Sequence, residues 1–350
     1  MRRLADSPSR VALALSCLLA LGACDGTEAT PDASTPRTDA SSDDAGGLDA
    51  PLDRDAPAAD DGGSTVDAAS LLDAPADQDA GPGPACGGAR PDVSGVTGTE
   101  GLVIARSGAI YYSQSAAIGR VDVDGTVDDA FATLPRSARQ VWGIVPNDAN
   151  THLYVGSPST GTIYDVDVTM TPPAVSTLVS GVGGPNGLTL GPDGALYFSD
   201  FSGGRVLRVA LDGSSTTPTL VANVPSANGV AFDDAGRLLV CNYGSGQLVR
   251  LTLSAGVESA REMAASGLGS PDGVALDRDG TIYVTDNGRG RLLRVEADGS
   301  TTTLLMGVPQ AASLDFGAGA LDCEDVYVAS GGSVARYEMG TVPGRAVPWH

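Results

Sequence analysis

The sequence predicts an all-β fold, a six-bladed β-propeller, and three observations carry that expectation. The stretch from Pro185 to Val209 is written again, with edits, from Ala227 to Leu251 and from Pro271 to Val295. Each copy holds a polar residue before Gly, an apolar strand, a tight Asp/Gly turn, a second apolar strand, a Gly-rich turn and a third strand. The anchoring glycines Gly101, Gly143, Gly187, Gly229 and Gly273 stand 42, 44, 42 and 44 residues apart, and a strand-only period of this size marks a propeller blade. Length then sets the blade count: the 265 residues of 86–350 hold six blades of this period but not seven. Nothing in that region sustains the 3.6-residue apolar period of a helix.

Taken from the N-terminus, residues 1–23 read as a lipoprotein signal peptide. Arg2, Arg3 and Arg10 make a basic start, and Val11–Leu21 is an apolar run of eleven residues. That is too short for the ~20 residues that span a bilayer. The run ends in Leu21-Gly22-Ala23-Cys24, which resembles a bacterial lipobox, so Cys24 is the expected lipidation site. Several acyl chains, at about 0.8 kcal/mol per buried methylene, would hold the protein on a membrane. The expected location is therefore extracytoplasmic, anchored to a membrane in the periplasm or at the cell surface.

Residues 24–85 are the lipidated Cys and a tether rich in Asp, Ala and Pro. Between Asp25 and Ala85 stand 15 acidic residues and two Arg, a net charge of −13 out of −22 for the whole chain. So little apolar surface cannot offset the entropy of ordering, and a disordered tether is expected. As a flexible coil it would span roughly 45 Å.

The region 86–350 has no basic stripe, which argues against nucleic acid as a partner; a monomer is expected. Cys241 lies inside an apolar strand and reads as a small buried residue. Cys86 precedes the first blade and Cys323 sits in a turn of the last. In an oxidising compartment these two could pair and tie the chain ends together.

The blades fall near 98–140, 141–183, 184–225, 226–268, 269–309 and 310–344. Blade 1 is read from Glu100–Ile104, Ala109–Ser113 and Ala117–Val123, and blade 2 from Trp142–Val145, His152–Gly156 and Gly161–Val166. Blades 3 to 5 are the clear copies. Their second strands, such as Leu196-Tyr197-Phe198 and Ile282-Tyr283-Val284, are β-branched and aromatic. Turns such as Pro192-Asp193-Gly194 and Arg278-Asp279-Gly280 supply residues that tolerate positive φ. Blade 6 is read from Ala312–Phe316, Asp325–Ser330 and Gly332–Tyr337, with a segment near Val93–Val96 expected to complete it and close the ring. Tyr112, Tyr197, Tyr243, Tyr283 and Tyr327 recur on or beside second strands, and most are expected to pack blade against blade.

The residue just before each inner strand occupies one structural position in every blade: Glu100, Trp142, Asn186, Asn228, Asp272 and, by strand alignment, Ala312. Innermost strands line a common channel, so their starts meet at one mouth. Two carboxylates converging there repel unless a positive charge lies between them. Oxygen ligands without His or Cys suit Ca²⁺ first, with Mg²⁺, Mn²⁺ or Zn²⁺ as alternatives. Asn-Gly and Asp-Gly are also ordinary turn pairs, and that reading stays open on spacing alone. Trp142 is open to two readings, a lid over the site or a packed ring.

Thr99-Glu100-Gly101, Ala227-Asn228-Gly229, Ser270-Pro271-Asp272-Gly273 and the last-blade run Leu314-Asp315-Phe316-Gly317 with Asp325–Ser330 resemble the senescence-marker-protein/gluconolactonase/luciferin-regenerating-enzyme family, over about Gly98–Gly344. The resemblance implies a divalent cation held by Glu100, Asn228 and Asp272, with Asp272 also the catalytic base. It implies hydrolysis of a lactone or related ester, with Asn186 and Trp142 contacting the substrate. At blade 3, Pro185-Asn186-Gly187 stands where the gluconolactonase pattern often has Asn-Asp-Gly, and the family's substrate-clamping Arg has no clear match.

A second expectation belongs to another class: a non-catalytic propeller of NHL type that binds a protein, peptide or polysaccharide, with any metal structural. A third, a lyase resembling virginiamycin B lyase, needs seven blades and a catalytic His. The two histidines here, His152 and His350, support neither that nor a zinc site or His-based triad. The turns Ser202-Gly203-Gly204 and Gly288-Arg289-Gly290 are blade turns rather than phosphate cradles, because no helix follows them.

Overall fold

The computed structural model describes residues 86–98 and 100–339. The signal peptide, Cys24, the tether, Thr99, His350 and the end of the expected sixth blade from Gly340 lie outside the described residues. Among those described, every regular element is a strand. Five four-stranded antiparallel sheets and one three-stranded sheet follow in chain order, each a meander.

The innermost strands are Leu102–Ile104, Gly143–Pro146, Pro185–Leu190, Ala227–Phe232, Pro271–Leu276 and Ala311–Phe316. Each packs beside the next, and the sixth beside the first, which makes a closed six-bladed propeller. The repeat glycines are required by this contact. A Cβ on Gly143, Gly187, Gly229 or Gly273 would collide with the carbonyl oxygen of Asn186, Asn228, Asp272 or Ala312 respectively, in the next blade. Their φ angles are not left-handed; it is the close approach of neighbouring backbones that excludes a side chain. Where the ring closes, blade 6 has Ser313 in place of Gly, and its N–H donates to the Glu100 carbonyl at 3.3 Å.

The core is divided into six clusters, one between each pair of adjacent blades. Second strands such as Leu196–Asp200, Leu238–Asn242 and Ile282–Asp286 are buried on both faces. This accounts for their near-continuous apolar sequence. Tyr197 packs edge-on against Phe232 of the next blade, and Tyr283 against Phe316, each with ring centroids 5.0 Å apart. Such pairs contribute about 0.5–1.5 kcal/mol beyond area burial. Tyr243 departs from the expectation: it is only partly buried and stands at the channel mouth.

The outermost strands, for example Val257–Ser266 and Thr301–Met306, are largely exposed. In the Pro192-Asp193-Gly194 turn, Gly194 takes φ 70° and its N–H donates to Gly191 O at 2.9 Å. Closure of blade 6 is lighter than the expected added strand. Val93 and Val96 are buried in the cluster between blades 6 and 1, but a single backbone bond, Val334 N–H to Val96 O at 3.2 Å, joins them to the blade's third strand. The preceding residues add a short ladder, with Gly87 N–H donating to Gly319 O at 2.9 Å and Ala89 N–H to Ala320 O at 3.0 Å, and a disulfide fastens its start: Cys86 is bonded to Cys323, with Cα atoms 5.7 Å apart and a sequence separation of 237. Cys241 is a buried free thiol, as expected.

Candidate metal centre at the channel mouth

A cavity of about 110 Å³ runs down the axis, and Trp142, Asn186, Asn228, Asp272 and Ser313 line it with the apolar inner strands. A single water needs only about 10–15 Å³, so the cavity has room for a small solute. Asn186, Asn228 and Asp272 are 5, 3 and 6 % exposed. Glu100 joins them: the Asn186 amide and the Asp272 carboxylate are both near enough to its carboxylate to act on its proton affinity. The channel thus brings together residues up to 172 positions apart in the chain.

The positioning of each side chain is local. In blade 5, Thr285 Oγ1 accepts from Gly273 N at 2.7 Å and donates to Ala312 O at 2.5 Å. In blade 3, Ser199 Oγ accepts from Gly187 N at 2.9 Å, and in blade 1 Ser113 Oγ accepts from both Glu100 N and Gly101 N at 2.9 Å. In blades 1, 3 and 5 one hydroxyl on the second strand therefore fixes the peptide after Glu100, Asn186 and Asp272. Cys241 holds this position in blade 4, its thiol facing Gly273 O at 3.8 Å.

Two fully buried carboxylates hold the loops that enter the site. Asp286 Oδ1 accepts from Ser270 N at 3.0 Å, and Asp286 Oδ2 from Arg291 Nη2 at 2.6 Å. Asp200 Oδ1 accepts from Gly184 N at 2.8 Å, and Asp200 Oδ2 from Arg205 Nε at 3.0 Å. None of these hydroxyls or clamps was singled out from sequence. The recurring Asp-to-Arg spacing of five after the second strand, 200–205 and 286–291, is the signal that exposes them.

Electrostatically the site is short of positive charge. Burial pushes the Glu100 carboxyl up, and the nearby Asp272 raises it further, while the Asn186 amide lowers it in part. Burial pushes Asp272 up as well. No Arg, Lys or His lines the cavity among the described residues. The Asn228 Oδ1 atom is buried without any hydrogen-bond partner, which ordinarily costs about 1–3 kcal/mol. Two close carboxylates, one orphaned amide oxygen and no cationic side chain are a donor set that fits a hard divalent cation. A further carboxylate, Asp315, lies lower in the cavity. Its two oxygens accept from Ile104 N at 2.8 Å and Phe316 N at 2.9 Å, so it ties blade 6 to blade 1.

His152, the sole histidine among the described residues, sits away from the cavity with Nδ1 2.7 Å from Asp165 Oδ1. Trp142 settles into neither of its two readings alone. It lines the cavity and also meets the Phe201 ring edge-on at 6.1 Å.

Comparison with known proteins agrees with this architecture. Residues 139–266 match the SMP-30/Gluconolactonase/LRE-like region, and residues 268–294 match the NHL repeat. No curated protein matches the chain by sequence. Among solved structures, the chain is similar to a gluconolactonase from Xanthomonas campestris at 21% identity and TM-score 0.60, over 72% of this chain and 88% of that one. It is similar to a calcium-binding protein, regucalcin, from Agrobacterium tumefaciens at 16% identity and TM-score 0.60, over 76% and 97%. It is also similar to virginiamycin B lyase from Staphylococcus aureus at 16% identity and TM-score 0.51, over 70% and 86%. At these identities what is shared is the β-propeller fold alone. The chain is a six-bladed β-propeller that carries an SMP-30/gluconolactonase/LRE-like region in blades 2 to 4 and an NHL repeat in blade 5.

Proposed function

We propose that this chain is a divalent-cation-dependent hydrolase of a lactone or related ester, with Ca²⁺ the first candidate ion. The observation that carries the reading is the partnerless Asn228 oxygen beside two buried carboxylates, with no cationic side chain lining the cavity among the described residues. Glu100, Asn228 and Asp272 would hold the ion. When bound, such an ion supplies Lewis-acid polarisation of the substrate carbonyl. Asp272, whose proton affinity burial raises, takes the proton of the attacking water as general base. Asn186 orients the Glu100 carboxylate through its amide and offers its remaining polar atoms to the substrate. Trp142 covers the reacting centre from blade 2. The gluconolactonase and calcium-binding relatives of the same fold support the reading.

The test is hydrolysis across a lactone and ester panel by the full chain with Ca²⁺. Activity is expected to vanish with chelator, return with the ion, and be lost in Asp272→Ala. Hydrolysis that persists in both cases would overturn the reading.

The NHL match in blade 5 favours one second reading, a propeller that binds a macromolecule with a structural ion. Both readings expect thermal stabilisation by metal, but only the hydrolase responds to a small lactone analogue. We further propose that the propeller is anchored outside the cytoplasm through lipid on Cys24. Palmitate labelling that is lost in Cys24→Ala supports this, and labelling that survives the substitution contradicts it.

A further inference from the structure

The wall above the polar site is aromatic along one side. Trp142 lines the cavity at the position that Asn186, Asn228 and Asp272 hold in the next three blades. Its ring meets Phe201 with centroids 6.1 Å apart and planes at 81°, and Phe201 meets Tyr243 at 5.9 Å and 76°. Phe201 and Tyr243 each follow the second strand of their blade. The Phe201 N–H donates to Gly184 O at 2.8 Å and the Tyr243 N–H to Ser226 O at 3.1 Å. Gly184 and Ser226 immediately precede the inner strands that begin at Pro185 and Ala227. These bonds therefore hold both rings at the end of the channel where Asn186 and Asn228 stand. The Tyr243 hydroxyl extends the row to blade 5 by donating to Asn287 Oδ1 at 3.4 Å.

All three rings are partly exposed, whereas the tyrosines that pack between blades, Tyr112, Tyr283 and Tyr327, are 0–2 % exposed. Edge-to-face contact fixes the row as a rigid, partly desolvated surface. Most polar groups lining the cavity are already committed, Asn228 and Asp272 to the ion in the reading above. Asp315 is committed to two backbone N–H groups, and no cationic side chain among the described residues lines the cavity. A polyhydroxylated ring buried here would leave hydroxyls without partners, a cost an apolar flat ring does not incur.

We propose that the part of the substrate not undergoing reaction is a flat aromatic ring, fused to or adjoining the lactone or ester, seated against Trp142, Phe201 and Tyr243, and that sugar lactones are poor substrates. This rests on the hydrolase reading above and narrows it. The ring contributes to selection through apolar contact, while the carbonyl reaches the polar end of the cavity.

The experiment uses the full chain with Ca²⁺ and three six-membered lactones: dihydrocoumarin, δ-valerolactone and glucono-δ-lactone. The ratio of kcat/KM for dihydrocoumarin over δ-valerolactone is expected to fall about tenfold in Trp142→Ala and in Phe201→Ala, the scale of discrimination by an apolar pocket. Taking this ratio cancels the different intrinsic reactivities of the two substrates. Phe201→Leu, which keeps apolar volume, is expected to fall between, and serves if the Ala variant does not fold. A ratio unchanged in these variants, or glucono-δ-lactone as the preferred substrate after correction for its rate with hydroxide, overturns the proposal. A second measurement separates this failure from that of the hydrolase reading. The chain has two Trp, Trp142 and Trp349, so Trp349→Phe leaves Trp142 as the sole indole reporter. Saturable quenching of its fluorescence by the unreactive lactam 3,4-dihydroquinolin-2-one supports the aromatic seat even if no lactone is hydrolysed. Absence of quenching overturns it even if one is.

Discussion

The backbone N–H of Ser313 donates to the carbonyl oxygen of Glu100 across 3.3 Å, and this bond joins the last inner strand to the start of the first. The same closure carries the Glu100 carboxylate within reach of Asp272 and Asn186. Ring closure and site assembly are thus one event, and a change in either should register in the other.

Asp315 is the second tie at that seam. Removing its carboxylate leaves the Ile104 and Phe316 N–H groups without acceptors. Each orphaned buried donor costs about 1–3 kcal/mol. Asp315→Ala is therefore expected to lower the urea-unfolding free energy by about 2–5 kcal/mol. A loss below about 0.5 kcal/mol would show that the seam does not depend on it.

The pH dependence of the metal-free protein follows from buried acids. Burial pushes Asp315 up to about 7 from an ordinary value of 3.8, and moves Glu100 and Asp272 in the same direction. Above about pH 4 the unfolded chain releases these protons while the folded chain keeps them. The unfolded state then binds fewer protons, so stability falls as pH rises from about 4 to 7. In chelator, Tm is expected to be higher at pH 5.5 than at pH 8, and Ca²⁺ is expected to raise it more at pH 8. A chelated protein more stable at pH 8 contradicts this.

The second-strand position behind the site residues, a hydroxyl in blades 1, 3 and 5 and a thiol in blade 4, gives a position-specific expectation. Thr285→Val removes the acceptor of Gly273 N and the donor to Ala312 O, and should cost about 2–4 kcal/mol. Cys241→Ser puts into blade 4 the residue that blades 1 and 3 already use at this position, Ser113 and Ser199. It should change stability by less than about 1 kcal/mol. Denaturant melts of the two variants decide the matter; equal losses would sink the comparison.

The Cys86–Cys323 bond closes a loop of 237 residues. Replacing both by Ser is expected to cost about 2–5 kcal/mol, seen as a lower Tm under non-reducing conditions. Backbone bonds between Gly87–Ala89 and Gly319–Asp322 and the Arg90 ion pairs with Asp322 and Asp325 hold the same segment to the last blade, so the loss is expected toward the lower end of that range. A Tm unchanged to within a degree contradicts a stabilising role for the disulfide.

Much of this was legible in the repeats. Inner and second strands are buried on one or both faces, so their apolar runs and the glycines forced by backbone contact recur visibly. The outermost strands were harder to see because they are solvated: Val257–Ser266 and Thr301–Met306 carry few buried side chains, and composition alone says little about them. The ring of pre-glycine residues could be named from register alone. Phe201 could not, because it stands one residue past a strand end in a turn whose sequence varies from copy to copy, Phe201, Tyr243 and Asn287. Asp315 was hidden because its partner, Ile104, is 211 residues away. The added strand expected at Val93–Val96 came out as one bond there, because the backbone pairing with blade 6 lies earlier in the chain, at Gly87–Ala89.

Calorimetric titration of the full, chelator-stripped chain with Ca²⁺ tests the shared ion most directly. The expected result is one ion per chain, weakened at least tenfold in each of Glu100→Gln, Asn228→Ala and Asp272→Asn, with stabilisation of about 2.7 kcal/mol at a hundredfold excess over Kd. Binding that survives all three substitutions, or no binding of Ca²⁺, Mg²⁺, Mn²⁺ or Zn²⁺ by the unaltered chain, would contradict it.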